Sequence, residues 1–418
     1  DTGEYYELEP SMISALKAVG EATDDLSKED ALSLLSDRYS ETGREIKAED
    51  LAKEVLSLML RLANDGDERM RARYFNQVPI CAAFAIARGD NKEAMDIYSN
   101  GLDQVGDSRT VEVASMKVNY GFICMMRKDL INSEKAFKEA LELTKECFAR
   151  GDVGDDPYLL ATIYDSLRLI VSKNNRMQEA EEYMSSALEE RRRLLKTAPI
   201  TSARLIELAD SMGFVAESEE RKNHPEEASA LMDEAVNIIK GYEGHKDAYA
   251  YALLNRAKYR QTKSPEIPEG FLEEMNVIIP ALDAVAIKDK RTCENLAQAY
   301  MFRSMTRDPN DYDDLLDDLK GAYDNLYTVA QMGDVNEMFL MSVAHSYLVL
   351  LNMKDHDRSK EVREELMELG ISQSDLDRAS RGTIGNVNSK KTKIDMLSSQ
   401  VAKPIPGRRL RRQIKHKE

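Results

Sequence analysis

Four stretches of the chain follow one template of side-chain size. The first runs through Val78, Cys81, Ala82 and Ala85 to Ala94, Tyr98, Gly101 and Leu102. The second runs through Lys117, Tyr120, Gly121 and Cys124 to Ser133, Phe137, Ala140 and Leu141. The third has Tyr164, Leu167, Arg168 and Val171 before Ala180, Met184, Ala187 and Leu188. The fourth has Met212, Val215, Ala216 and Glu219 before Ala228, Met232, Ala235 and Val236. Three positions, separated by twelve and then seven residues, are reserved for small side chains: Ala82, Ala94, Gly101; Gly121, Ser133, Ala140; Arg168, Ala180, Ala187; Ala216, Ala228, Ala235. Only Arg168 departs, which predicts a looser joint or a side chain that snorkels outward. Small residues at fixed spacing are what two helices need where their backbones approach closely. Tyr98, Phe137, Met184 and Met232 share one large position and fill the space between pairs. A chain constrained in this way folds as a repeat array rather than as independent globules.

The rest of the sequence agrees with helices. Leu51, Val55, Leu58, Met59 and Leu62 form one helical stripe, as do Leu159, Ile163, Leu167, Ile170 and Val171. Breakers separate such stripes at Gly89-Asp90, Gly151 to Pro157, Ala198-Pro199, His224-Pro225, Ser264 to Pro268 and Asp308-Pro309. Strand signals are nearly absent. About fifteen helices of roughly 12–20 residues are expected, in an all-α fold.

The template resembles that of the tetratricopeptide-repeat (TPR) family. Gly89-Asp90-Asn91-Lys92-Glu93-Ala94 and Asn175-Arg176-Met177-Gln178-Glu179-Ala180 are similar to its turn and second helix. The anchors Ala94, Ser133, Ala180 and Ala228 lie 39, 47 and 48 residues apart. These intervals exceed the basic unit of about 34 residues and are more similar to the long-helix variant of kinesin light chains and of sensor regions in bacterial signalling ATPases. The resemblance implies a right-handed superhelical solenoid of antiparallel helix pairs, about seven to eight units. It is strongest over Tyr74 to Tyr242 and extends at most over Leu51 to Gly370. Four segments follow: residues 1–66, N-terminal helices forming a cap or a diverged repeat and including Ser11 to Gly20; 67–243, well-matched repeats; 244–370, degraded repeats; and 371–418, a basic, flexible tail.

Charge divides the chain in the same way. The total is -17, but from Arg381 onward eleven basic residues face two acidic ones, so the tail carries +9 and the body -26. The body repels phosphate at long range. The tail, with Arg408, Arg409, Arg411 and Arg412, suits nucleic acid, an anionic surface or an acidic protein, which includes a second copy of the body. Four scattered cysteines are not a disulfide scaffold and fit a reducing, cytoplasmic setting. Cys81 and Cys124 fall on core positions. No apolar run approaches the ~20 residues of a membrane span. Nucleotide-binding loops, dinucleotide fingerprints and nucleophile elbows are missing, and the five histidines are dispersed. The acids from Asp308 to Asp318 break the calcium-loop order and instead suit the first turn of a helix. No catalysis, metal or cofactor is expected. The chain begins at Asp1 without Met, so it is expected to be trimmed or part of something longer.

The resemblance also implies a ligand groove lined by the first helix of each pair. Its face projects to Asn76, Ile80 and Ala83; Asn119, Phe122 and Met126; Thr162, Asp165 and Leu169; and Asp210, Phe214 and Glu217. Ile80, Phe122, Met126, Leu169 and Phe214 would anchor apolar groups, while Asn76, Asn119 and Asp165 would hold backbone or basic groups. Phe and Met on such a face suit an adaptable peptide or helix site; equally, they could pack into adjacent helices. Family members that clamp chaperone C-terminal carboxylates use Lys, Asn and Arg here. Only Asn119 matches, so an Asp-rich C-terminal peptide is not expected. The resulting expectation is a scaffold or adaptor that binds a basic peptide or helix in an acidic groove. The alternatives are a regulatory sensor or peptide receptor, as the repeat region of a larger signalling protein, and a nucleic-acid-associated factor acting through the tail.

Overall fold

The structure, a computed structural model, describes residues 25–376 apart from 42, 107, 153, 155, 264–266, 309, 334, 374 and 375. Ser11 to Gly20 and the basic tail, with Arg408, Arg409, Arg411 and Arg412, lie outside the described residues. The described residues form sixteen α-helices and no strand. They belong to two compact units, divided between Pro199 and Ile200. In the first unit the helices are α1 (Asp25–Glu41), α2 (Glu45–Asn64), α3 (Glu68–Ala87), α4 (Asn91–Asp103), α5 (Val111–Met126), α6 (Leu130–Ala149), α7 (Leu159–Lys173) and α8 (Met177–Leu194). In the second they are α9 (Ser202–Arg221), α10 (Pro225–Lys240), α11 (Lys246–Lys263), α12 (Phe271–Asp283), α13 (Lys290–Thr306), α14 (Tyr312–Gln331), α15 (Glu337–Lys354) and α16 (His356–Glu368). Within each unit every helix packs on its chain neighbour, and successive pairs stack.

One turn closes five of these pairs. Gly43, Gly89, Lys128, Asn175 and Asn223 all have positive φ, between 59° and 78°, and each lies five residues before the first residue of the small triplet in the second helix. The residue after the turn donates back to the first helix, five positions back in every case: Arg44 N to Tyr39 O at 2.8 Å, and Asp90, Asp129, Arg176 and His224 N to Ala85, Cys124, Val171 and Glu219 O at 2.9 Å. This left-handed residue ends the first helix by satisfying carbonyls that the helix leaves open. Asp90 and Asp129 then cap the next helix through backbone N–H groups of Glu93 and Asn132, at 2.9 and 3.1 Å. The α1–α2 pair, which shows no clear match in sequence, uses the same turn.

The reserved small positions mark close helix approach. Ser133 Oγ donates to Gly121 O at 2.8 Å, and Ser36 Oγ donates to Ala48 O at 2.7 Å, in each case across twelve residues. A Cβ on Gly121 would lie 3.0 Å from the ring of Phe137, which is fully buried. A Cβ on Gly101 would lie 2.9 Å from Val78. Ala82, Ala94, Ala140, Ala180, Ala187, Ala216 and Ala228 are fully buried. The one large residue of the set, Arg168, is half-buried with its Nε 3.9 Å from Asp165. The pairs are therefore close-packed helical hairpins, and each unit is a helical-repeat stack. Gly121→Leu should cost about 3 kcal/mol, because the ring it meets has nowhere to move. Urea unfolding of the full chain would measure this; a loss below about 1 kcal/mol would mean that the pair can spread.

Outside the matched repeats, packing follows a different logic. Gly321 lies against the Tyr300 ring, with room for no Cβ. Of the acids after Asp308, Asp311 caps α14 at the N–H of Asp314 and Asp313 occupies its first turn. Asp318 is different: it is fully buried between Arg303 and Arg307, so a first-turn dipole role does not account for it. All four cysteines are buried and free, and burial pushes their thiols up, Cys81 to about 12. Among the described residues no helix is long and apolar enough to cross a membrane, and no group of side chains could hold a metal ion.

Candidate functional site

In the second unit, α9 and α11 lie side by side as the first helices of successive pairs. An open cleft of about 530 Å³ runs along them. From α9 it is lined by Asp210, Gly213, Phe214, Glu217, Glu220 and Arg221, and from α11 by Asn255, Lys258, Tyr259, Thr262 and Lys263. Both sets fall at i, i+3, i+4, i+7, one face of each helix. Asp210, Phe214 and Glu217, projected from sequence as one face, thus line a single concavity. The α11 half escaped sequence reading because no repeat template was fixed there. Ala257 alone marks the register, and it places Asn255 and Lys258 beside that face.

Charge in the cleft is partly internally matched. Lys263 Nζ lies 2.5 Å from Glu220, whose other oxygen accepts from Tyr259 Oη at 2.8 Å. Both contacts hold Glu220 below its usual range. Tyr251 Oη donates to Asp210 at 2.6 Å. Arg291 of α13 closes this group, donating to Asp210 and to Tyr251 Oη, with its guanidinium 4.3 Å above the Tyr251 ring. Glu217, Arg221 and Asn255 have no hydrogen bond or ion pair among the described residues. Lys258 is the unusual member. Its ammonium donates to Asn295 Oδ1 of α13 at 3.0 Å and has no carboxylate within ion-pair distance among the described residues. Burial, followed by the neighbouring charge of Arg291, pushes it down to about 8, against the pull of Asp210 and Glu294.

The other projected residues belong to the first unit. On α3, Asn76 is exposed and Ile80 is 46% exposed. On α5, Met126 is 54% exposed and Asn119 half-buried. Phe122 is half-buried against the core, edge-on to Phe137 with centroids 5.1 Å apart. It supports the α5–α6 pair more than it faces solvent. On α7, Leu169 is partly exposed, while the Asp165 carboxylate is taken by Arg191 at 2.6 Å. That ion pair uses charge that Asp165 would otherwise offer to a basic ligand. The helices α3 and α5 are in contact.

No protein-family profile matches the chain, and no curated protein matches it. Among solved structures, BtubC (BKLC) from P. vanneervenii is 18% identical with a TM-score of 0.45, over 56% of this chain and 92% of that one. A signal-transduction ATPase with numerous domains (STAND) from Pyrococcus horikoshii, with a tetratricopeptide-repeat sensor, is 13% identical with a TM-score of 0.47 over 89% of this chain. This chain spans about half of that one, 54%. The apo form of the quorum sensor NprR from B. thuringiensis is 14% identical with a TM-score of 0.45, over 89% of this chain and all of that one.

Proposed function

We propose that the chain is a non-catalytic binding module, a scaffold or adaptor, which holds a protein segment in the cleft between α9 and α11. The observation that carries this reading is the combination lining the cleft. Phe214 offers apolar area beside the unpartnered Asn255, Glu217 and Arg221. An amide with both donor and acceptor free suits an extended backbone, and flanking charges set its register. Glu217 and the -26 body favour basic residues in the segment and speed their capture. The buried cysteines, with thiols raised by burial, are poor nucleophiles, which agrees with binding rather than chemistry. The exposed Ile80 and Met126 offer a second, apolar contact on the first unit.

The test is selection of a displayed peptide library on the full chain. Phe214→Ala should weaken the selected peptides roughly tenfold or more, with helical circular dichroism and melting unchanged. If peptides bind the Phe214→Ala, Glu217→Ala double variant as tightly as the parent, the cleft is not the site.

A further inference from the structure

Arg291 lies in the first turn of α13 and is exposed, yet it reaches Asp210 across 81 residues. Its guanidinium sits 4.3 Å above the buried Tyr251 ring, and Tyr251 Oη donates to the other oxygen of Asp210 at 2.6 Å. A carboxylate beside an aromatic face is a receptor for a planar cation, and here α9 supplies the carboxylate and α11 the ring. Arg291 fills this receptor incompletely. Both of its hydrogen bonds use one nitrogen, Nη2, and its other N–H groups have no partner among the described residues. The start of α13 does not depend on it, because Asp289 caps that helix at Thr292 N, 2.8 Å away. Asp210 itself lines the cleft, on the same helix face as Phe214 and Glu217. We infer that Arg291 is an internal stand-in for the ligand: Asp210 and the Tyr251 ring form a guanidinium subsite, and an arginine of the bound segment takes it by displacing Arg291. This rests on the peptide-binding reading above and adds the identity of one ligand residue and the contact it must break.

An arginine fits better than a lysine. A guanidinium lies flat on a ring while its edge donates to a carboxylate, whereas an ammonium is a strongly hydrated point charge. Free of the α13 tether, a ligand arginine can set two N–H groups on Asp210 where Arg291 sets one. A segment without arginine leaves Arg291 in place and gains nothing there, so the strap sharpens selection.

The experiment uses the full chain with 13C-labelled tyrosine rings, the Tyr251 signal being identified by its loss in Tyr251→Phe. The probes are arginine, lysine and citrulline, each capped as the N-acetyl methylamide, and free L-arginine. Arg291→Ala should bind capped arginine at least about tenfold more tightly than the parent does, with a saturable shift of Tyr251. Capped citrulline, a neutral isostere, should bind this variant at least about tenfold more weakly than capped arginine. Asp210→Asn added to Arg291→Ala should remove that difference. Equal affinity of the parent and Arg291→Ala for capped arginine would make Arg291 a structural link and overturn the proposal. Lysine binding as tightly as arginine overturns the guanidinium assignment, and free arginine binding more tightly than its capped form overturns a chain segment as the source. The displayed-peptide selection separates the two readings. If selected peptides lose affinity with Phe214→Ala but gain none with Arg291→Ala, the subsite falls and the peptide cleft stands. If they ignore the Phe214→Ala, Glu217→Ala double variant while Arg291→Ala still captures capped arginine, the cleft falls and the guanidinium subsite stands.

Discussion

Lys258→Met should stabilise the second unit by about 2 kcal/mol at pH 7, although it removes a hydrogen bond. Depression of the ammonium from 10.5 to about 8 corresponds to about 3 kcal/mol of unfavourable burial. The lost bond to Asn295 returns about 1 kcal/mol. The sign follows from linkage: below about pH 8 the lysine is charged in both folded and unfolded chains, and its burial cost is fully present. Between about 8 and 10.5 the folded chain releases the proton first, so wild-type stability rises relative to the variant. The groups facing Lys258 are Arg291, Glu294 and Asn295 from α13 and Asp210 from α9, and they are common to both proteins. Urea unfolding of both chains at pH 7 and pH 10 would show the advantage of the variant shrinking. A variant less stable than wild type at pH 7 would mean that the ammonium is well compensated.

The opposite outcome is expected at Asp318. Its carboxylate is wholly buried, with Arg303 Nη2 at 2.6 Å, Arg303 Nε at 2.8 Å and Arg307 Nε at 3.2 Å. Asp318→Ala would leave two guanidinium groups facing each other across a small cavity. Loss of one partner from a buried pair is expensive because the other charge stays behind. Arg307 retains Asp314, and both arginines keep some water contact, so the loss should be about 3 kcal/mol. Asp318→Leu together with Arg303→Met should recover most of it, since an apolar replacement of a whole pair is often neutral. Chemical denaturation of the full chain would read both variants. A single-variant loss under about 1 kcal/mol would place the cluster among surface-like ion pairs.

These two residues also show where sequence reading stops. The small triplets and the breaks at Gly89, Asn175 and His224 were legible because they act within one pair, across one helical turn-back. Gly121 with Ser133 and Asp129 with Asn132 are local relations, and size or hydrogen-bond chemistry alone fixes them. Even the α1–α2 pair follows the rule at Ser36, Gly43 and Ala48, although its apolar residues had drifted from the template. The face Asp210, Phe214 and Glu217 was legible for the same reason, being one stripe of one helix. Asp318 was not, because a run of acids near a helix start reads as suiting the helix dipole until Arg303 of the preceding helix and Arg307 just past its end are placed against it. Phe122 and Asp165 were ambiguous in the same way: each lies on the projected face, yet Phe137 and Arg191 draw them toward the packed side.

By itself, the sequence determined an all-α chain of hairpins and the small positions at which the matched pairs close, and it projected one face of each first helix. Those properties come from helical periodicity and from steric limits within a pair. Tertiary structure alone decided which polar groups on that face are already satisfied. Lys258 meets Asn295 37 residues away, Tyr251 meets Asp210 41 away, and Arg291 reaches Asp210 across 81. Such partners come together only through the stagger between successive pairs, which no local pattern encodes. That stagger satisfies Asp210 and Glu220 from within, and leaves Asn255 and Glu217 without a partner among the described residues.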